Sequence, residues 1–238
     1  ASKERIEEIS AISPLVFYQI SLEGLQEHND YIRGAGHFKR AFAFLDVLRE
    51  LDIYSMVMLT LTSGNMGQVI PLAKKLDGKA DYFTFNRLSA VGEGENLAMP
   101  DPDEFAVFLK EYARAARQTG VMGLKENLIN ILRYKNDRPV FGGCAGFGCG
   151  AAFNFVSVLP DGEVHACRKF PSFIGNIMVD SLEDIYQGDK AGQYRSRSAA
   201  CRDCEIMSVC GGCPAVTYSR ELDITKDMDP YCFMGKGE

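Results

Sequence analysis

Eight cysteines are the residues most able to do chemistry in this chain, and none of them occurs before residue 144. Four fall in the stretch CRDCEIMSVCGGC, at 201–213. Two cysteines separated by two residues can ligate one metal ion or two irons of one cluster, and the stretch contains two such pairs. The spacing therefore fits a zinc ribbon or an iron–sulfur centre. The eight cysteines are Cys144, Cys149, Cys167, Cys201, Cys204, Cys210, Cys213 and Cys232.

Three observations narrow the choice of centre. Secreted disulfide scaffolds are short and carry cysteines throughout the fold, whereas the first 143 residues here contain none, so ligation is favoured over disulfides. The five residues between the two pairs, EIMSV, are few for a zinc ribbon, and eight cysteines make two complete sets of four. Neighbouring glycines let backbone N–H groups approach sulfur, which tunes clusters. These glycines are Gly142, Gly143, Gly146, Gly148, Gly150, Gly211 and Gly212.

The composition argues against several classes of protein. The formal net charge is −6 and the pI is near 5.2, which does not suit a protein that wraps nucleic acid. No apolar run reaches the roughly 18 residues that a membrane span needs. The start, ASKERIEEIS, has no signal-peptide pattern, and without Met it reads like the middle of a helix. We expect a cytoplasmic protein without nucleic-acid or membrane partners, whose front is missing from this chain.

The first part of the chain alternates apolar runs with amphipathic segments. Strands that are apolar on both faces and alternate with helices indicate a parallel sheet with crossover helices. Three such units are too few for a closed eight-stranded barrel and suit part of a larger α/β sheet. A polar loop is predicted at 25–36. Strands are predicted at 15–24, 53–62 and 81–89, and helices at 1–13, 36–52, 63–78, 101–120 and 124–135.

From about residue 136 the sequence becomes rich in glycine and loops. Residues 156–167 predict a β-hairpin about Asp161–Gly162, and a short helix capped by Ser181 is predicted at 181–189. The remainder reads as short loops pinned by cysteines, and cross-links must supply the stability that packing does not. We therefore predict two domains, 1–135 and 136–238.

The cysteine pattern resembles a known family. The pattern consists of Cys149, twelve residues, Gly162, four residues, Cys167, then C-x2-C-x5-C-x2-C and Cys232. It resembles the SPASM domain, a C-terminal extension of radical S-adenosylmethionine (SAM) enzymes that modify peptides. The sequences around the cysteines also resemble that family: LPDGEVHACRKF, IGNIMVDSLEDIY and CGGCPAV. YQISLEG and LTLTSGN are similar to the later strands of the same enzymes' partial barrel. The resemblance implies later βα units of that barrel followed by a small Cys-rich α+β domain.

The resemblance also implies cofactors and ligands. SPASM domains hold two auxiliary 4Fe–4S clusters, and matching by order assigns four cysteines to each. The family more often has three residues between the last two cysteines of the short run, where this chain has Gly211 and Gly212. The implied ligands are Cys144, Cys149, Cys167 and Cys213 for the first cluster, and Cys201, Cys204, Cys210 and Cys232 for the second.

The implied activity is that of an oxidoreductase-type maturase of a ribosomally made precursor peptide. A third 4Fe–4S cluster, bound by a C-x3-C-x2-C triplet that this chain lacks, cleaves SAM to a 5′-deoxyadenosyl radical that abstracts hydrogen from the peptide. The auxiliary clusters relay electrons, and flavodoxin or ferredoxin is the expected donor type. Without the triplet, this chain alone should be inactive. Arg168 stands where the sulfatase-maturing branch has Asp, which disfavours that branch.

Three residues of the first half are predicted to contact SAM. Ser21 is expected at the carboxyl end of a parallel strand, where α/β barrels place ligand groups. Arg33 suits the SAM carboxylate, which a guanidinium fork binds well. Asn65 is predicted to cap a helix beside the cofactor. Two alternatives remain: a zinc-stabilised Cys-rich binding module without catalysis, and a radical SAM enzyme of cofactor biosynthesis.

Overall fold

The computed structural model describes residues 3–13, 17–142 and 148–235. The chain divides into two compact units, one of Ala1–Arg87 with Ala98–Leu124 and one of Leu88–Leu97 with Lys125–Glu238. The main division thus lies about ten residues before the predicted boundary at 135. Among the described helices, none has the length and apolar character needed to cross a membrane.

The first unit contains a three-stranded parallel sheet in the order β1-β2-β3. Its register pairs Ile20 with Val57 and Val57 with Phe83. Strand β2 is apolar and mostly buried along its length, as expected for a sheet covered by helices. The arrangement agrees with the predicted mixed α/β class. The elements are α1 Lys3–Ser10, β1 Tyr18–Ser21, α2 Gln26–Arg33, α3 His37–Glu50, β2 Ser55–Leu61, α4 Val69–Leu76, β3 Tyr82–Arg87 and α5 Pro102–Ala115.

Two local predictions in this unit are wrong. Helix α2 occupies most of the predicted polar loop at 25–36, so Arg33 lies in a last helical turn. The turn into α3 is held by the Asp30 carboxylate, which accepts N–H bonds from Gly36 (2.9 Å) and Phe38 (2.7 Å). Asn65 does not cap a helix with its side chain; a 3-10 turn follows it, and α4 begins at Val69.

Aromatic side chains form the centre of the first unit. The ring of Phe85 on β3 meets the rings of Phe105, Phe108 and Tyr112 on α5 edge-on, with centroids 5.0–6.4 Å apart. The Tyr112 hydroxyl is buried and donates a hydrogen bond to the carbonyl of Gly123 (2.7 Å). The helix is therefore fixed on the sheet by apolar burial and by one satisfied polar group.

The second unit is built of short elements around a three-stranded antiparallel sheet in the order β4-β5-β6. Ser181 accepts a hydrogen bond from the Asp184 N–H, which confirms the predicted cap. Strand β6 and helices α8 and α9 lie where only loops were predicted. The elements are α6 Ile129–Lys135, β4 Ser157–Val158, β5 Glu163–His165, β6 Phe173–Asn176, α7 Leu182–Gln187, α8 Asp189–Ser196 and α9 Pro214–Tyr218.

The apolar core beside this second sheet consists mainly of small residues. Alanines make up four of its seven buried members, and an alanine removes little apolar area from water. Cys149 and Cys167 pack against the same core. The hydrophobic effect alone therefore contributes little stability here. The buried members are Ala151, Ala152, Val164, Ala166, Ile174, Ile185 and Ala191.

A buried amide on α6 connects distant loops of the second unit. Asn130 is fully buried. Its Oδ1 accepts the Phe141 N–H (2.9 Å), and its Nδ2 donates to the carbonyls of Phe141 (3.0 Å) and Val209 (3.0 Å). These contacts hold α6 against the segment that precedes Cys210, which explains why the helix belongs to the second unit.

Replacing this amide should destabilise the second unit. Asn130→Ala leaves the Phe141 and Val209 backbone groups without their buried partner, at about 1–3 kcal/mol for each unpaired group, so we expect a loss of about 3 kcal/mol. The measurement is urea denaturation followed by circular dichroism. Asn136→Ala is the matched control, because the side chain of Asn136 is exposed and donates to the Leu132 carbonyl one turn earlier (2.7 Å), and its loss should cost about 0.5 kcal/mol or less. Equal losses would contradict the role of Asn130.

Candidate metal centres

The four cysteines assigned to the second cluster line one cavity. Cys201 ends a 3-10 turn, Cys204 and Cys210 lie in the loop that follows it, and Cys232 lies in the segment after α9. All four line the cavity. The cavity is closed largely by apolar side chains, so thiolate charge there has little access to water. The apolar wall consists of Leu128, Ile131, Ile206, Met207 and Met234.

Burial dominates the acidity of these thiols. It raises the pKa of Cys210 to about 12, although an N–H from Gly212 lowers it in part. Burial also raises the pKa of Cys201, and the neighbouring Cys232 and Cys204 add to the shift. The effect of Cys204 and Cys232 on Cys201 indicates that these sulfur atoms lie close together. A cation that binds among them favours loss of the thiol protons.

Two glycines form the turn that joins Cys210 to Cys213. Gly211 and Gly212 both have φ near +62°, a left-handed backbone conformation that glycine adopts without strain. A Cβ on Gly212 would lie 2.7 Å from the Cβ of Asp229, so a side chain there does not fit. The two-residue spacing, shorter than the family usually has, is therefore accommodated by two consecutive left-handed residues.

Asp229 connects the two cysteine sets. Its Oδ2 accepts the Cys213 N–H (2.9 Å), and its Oδ1 accepts the Tyr231 N–H (3.0 Å). Its backbone carbonyl accepts the Cys232 N–H (2.8 Å). The residue is buried and also lines the cavity of the second set. Sequence reasoning missed Asp229, because a lone acidic residue in a loop gives no pattern.

The first predicted set is described in part. Cys144 lies outside the described residues. Cys167 lies near Cys213, whose charge adds to the burial that raises the pKa of Cys167. The Cys167 backbone is fixed by Ser172, whose hydroxyl accepts its N–H (3.0 Å) and donates to its carbonyl (2.8 Å). Cys149 packs against the same alanine-rich core as Cys167.

Both ring nitrogens of His165, the histidine nearest in sequence to Cys167, contact other residues of this unit. The Nδ1 of His165 accepts the Ser172 N–H (3.1 Å), so the proton of the neutral ring is on Nε2, which faces the Glu163 carboxylate at 3.0 Å. The seven cysteines in the described part of the chain form no disulfide with one another. Within residues 3–13, 17–142 and 148–235, no three acidic, histidine or cysteine side chains converge on a point suited to a single metal ion.

The predicted SAM contacts lie in the first unit, where Arg33 binds the side chain of Glu23 and Asn65 binds its backbone. Glu23 follows β1, and its Oε1 accepts hydrogen bonds from Nε (3.0 Å) and Nη2 (2.5 Å) of Arg33. Its Oε2 accepts the Thr60 N–H (3.1 Å). The Nδ2 of Asn65 donates to the carbonyls of Glu23 (3.0 Å) and Thr60 (2.9 Å).

These contacts separate the three candidates. Asn65 is almost fully buried, and its Oδ1 also accepts the Thr62 N–H (2.8 Å), so its amide holds the loops at the carboxyl ends of β1 and β2. Arg33 is partly exposed, and its guanidinium forms an ion pair with the Glu23 carboxylate. Ser21 is the last residue of β1, at the strand end that the sequence predicted. The sequence did not identify Glu23, which is 7% exposed.

A family model matches the region around the cysteines. Residues 149–214 match SPASM, described as an iron-sulfur cluster-binding domain. The match contains six of the eight cysteines, since Cys144 and Cys232 lie outside it. The match agrees with the resemblance to the SPASM domain predicted from the cysteine pattern.

Similar proteins extend the comparison to most of the chain. It is 27% identical over 225 residues to the subtilosin biosynthesis protein AlbA of Bacillus subtilis, covering 89% of this chain and 47% of AlbA. It is 27% identical to the mycofactocin maturase MftC of Mycobacterium ulcerans, covering 95% of this chain and 63% of MftC. The crystal structure of SuiB from Streptococcus suis has the same fold over 94% of this chain and 56% of its own, with a TM-score of 0.69 at 18% identity.

The chain thus spans about half to two-thirds of the length of the relatives it matches. AlbA is named as a biosynthesis protein and MftC as a maturase, and one solved structure of SuiB holds the precursor peptide SuiA. The SPASM match and the similarity to these proteins confirm the resemblance predicted from the sequence.

Proposed function

We propose that this chain supplies the auxiliary-cluster part of a radical SAM maturase that modifies a ribosomally made precursor peptide. The observation that carries the proposal is the meeting of Cys201, Cys204, Cys210 and Cys232 around one apolar cavity. These are the four cysteines that the family pattern assigns to one cluster. The relatives named for bacteriocin and mycofactocin maturation support the substrate class.

The donor set suits a 4Fe–4S cluster. Four cysteine thiolates ligate the four irons of such a cluster, one to each, and complete ligation leaves no iron open for substrate. The apolar walls exclude water, which affects both stability and reduction potential. When bound, a cluster at this site accepts and passes on single electrons. The protein holds the ligands in place through the left-handed turn at Gly211 and Gly212.

The second proposed cluster site uses Cys144, Cys149, Cys167 and Cys213. Support comes from the proximity of Cys167 and Cys213 and from the hydrogen bonds of Ser172, which fix the Cys167 backbone. Asp229 lines the cavity of the other set and accepts a hydrogen bond from the Cys213 N–H. The two sites then share one backbone framework, a suitable arrangement for passing electrons between them. A flavodoxin or ferredoxin in the cytoplasm is the proposed donor.

At the carboxyl edge of the parallel sheet, Ser21 and Arg33 are the proposed SAM contacts. Ser21 ends β1, and the partly exposed guanidinium of Arg33 lies beside the strand end. Glu23 orients Arg33 by accepting its Nε and Nη2. Asn65 is assigned a supporting role, because its amide binds three backbone groups.

Metal analysis tests the cluster proposal. After anaerobic reconstitution, we expect about eight irons and about eight acid-labile sulfides per chain, four of each per cluster. The double variant Cys201→Ala/Cys204→Ala should lose about half of both, and Cys149→Ala/Cys167→Ala should lose the other half.

Ser208→Ala is the control for these variants, since Ser208 is exposed and lies between Cys204 and Cys210. It should keep the full iron and sulfide content. One or two zinc ions without sulfide in the unmodified chain would instead establish the zinc-stabilised binding module.

A pair of substitutions separates SAM binding from structural support. Ser21→Ala should weaken SAM binding about five- to tenfold, the effect of one hydrogen bond, with an unchanged free energy of unfolding. Asn65→Ala should lower the free energy of unfolding by about 2–3 kcal/mol, because three buried backbone groups lose their partner. Calorimetric titration with SAM, on protein that includes the SAM-cluster segment, and urea denaturation give the two readouts. Unchanged SAM affinity in Ser21→Ala would remove Ser21 from the site.

A further inference from the structure

The carboxylate of Asp229 is placed to act on the cluster as well as on the backbone. It is 4% exposed and lines the cavity around which Cys201, Cys204, Cys210 and Cys232 meet. Both side-chain oxygens accept backbone N–H groups, which fixes the carboxylate in one orientation. A negative charge is therefore held beside the cluster site and largely away from water.

The carboxylate lies in the wall of the same cavity as the four thiols, so its charge acts directly on a cluster that they hold. Reduction adds an electron to a cluster, and a nearby negative charge disfavours that added charge just as it disfavours a thiolate. Asp229 thus opposes reduction of a cluster at this site.

Arg197 supplies a charge of the opposite sign. It follows α8 with a left-handed backbone (φ +63°), and with Cys201, Gly211 and Asp229 it lines a second cavity. Its Cδ lies 3.0 Å from the position that a Cβ on Gly211 would occupy. A fixed cation therefore favours added electrons on the side where Cys201 lies.

We propose that Asp229 and Arg197 set the reduction potential of the cluster held by Cys201, Cys204, Cys210 and Cys232, with opposite signs. Asp229 lowers the potential and also positions Cys213 of the other set, whereas Arg197 raises the potential. Neither residue ligates iron in this assignment. The inference rests on the proposed function, because it requires a cluster in this cavity.

The test is a potentiometric titration of the reconstituted full-length protein, followed by electron paramagnetic resonance of the reduced clusters. The Cys149→Ala/Cys167→Ala background isolates the signal of the second cluster. Asp229→Asn should shift the midpoint potential to more positive values, and Arg197→Gln should shift it to more negative values. A purely structural role would not produce opposite shifts.

Two controls isolate the effect of charge. Asp203→Asn removes the same charge from an exposed side chain between Cys201 and Cys204, where water and salt screen it, so its shift should be much smaller. Arg197→Lys keeps the cation and should stay near the parent potential. If Asp229→Asn fails to load iron, the shift in the midpoint potential of Arg197→Gln alone tests the inference.

The outcomes separate the two proposals. An unmodified chain without a cluster signal would contradict the proposed function. A loaded Arg197→Gln variant with an unchanged potential, or shifts of the same sign in both variants, would overturn only the present inference.

Discussion

The second unit depends on the removal of thiol groups from water. Burial raises the pKa of Cys210 to about 12 and raises that of Cys167 and Cys201, so without a bound cation these side chains are neutral at physiological pH. Ligation requires thiolates, and an apolar cavity disfavours them until a strongly bound cluster compensates their charge. The loops that bring the cysteines together are therefore energetically linked to the proposed clusters.

This link matters because the unit has little else to stabilise it. Its sheet is short, and alanines dominate the core beside it. Between the cysteines the chain follows turns rather than long helices. Small domains of this kind are stabilised by metals or other cross-links in place of a large core. A buried amide such as Asn130 then contributes a large share of the specific contacts, since it fixes two loops at once.

The parts of the structure that the sequence predicted are those with a repeated signal. The buried strand at Ser55–Leu61 follows from a run of apolar residues, and the cysteine arrangement follows from spacing and resemblance. Helix α2 was missed because its sequence, QEHNDYIR, has no apolar stripe and is held at its end by Asp30. Asn130, Glu23 and Asp229 were missed because each acts through partners distant in sequence. Asn130 and Val209, for example, are separated by 79 positions.

The identities of these missed residues follow from the groups they face. Asn130 meets one N–H and two carbonyls, and Asn65 likewise meets one N–H and two carbonyls. An amide, with one acceptor oxygen and two donor hydrogens, matches that combination.

Asp229 and Glu23 face donors on both oxygens: two backbone N–H groups for Asp229, and Thr60 with the Arg33 fork for Glu23. Only a carboxylate accepts on both sides, and bonds from N–H to a charged acceptor are stronger than neutral ones. The burial of a charge is thus offset at Glu23 by the Arg33 cation and by one backbone N–H group, that of Thr60. At Asp229 the carboxylate lies beside sulfur ligands, so its negative charge is part of the electrostatic environment of any cluster that those ligands hold.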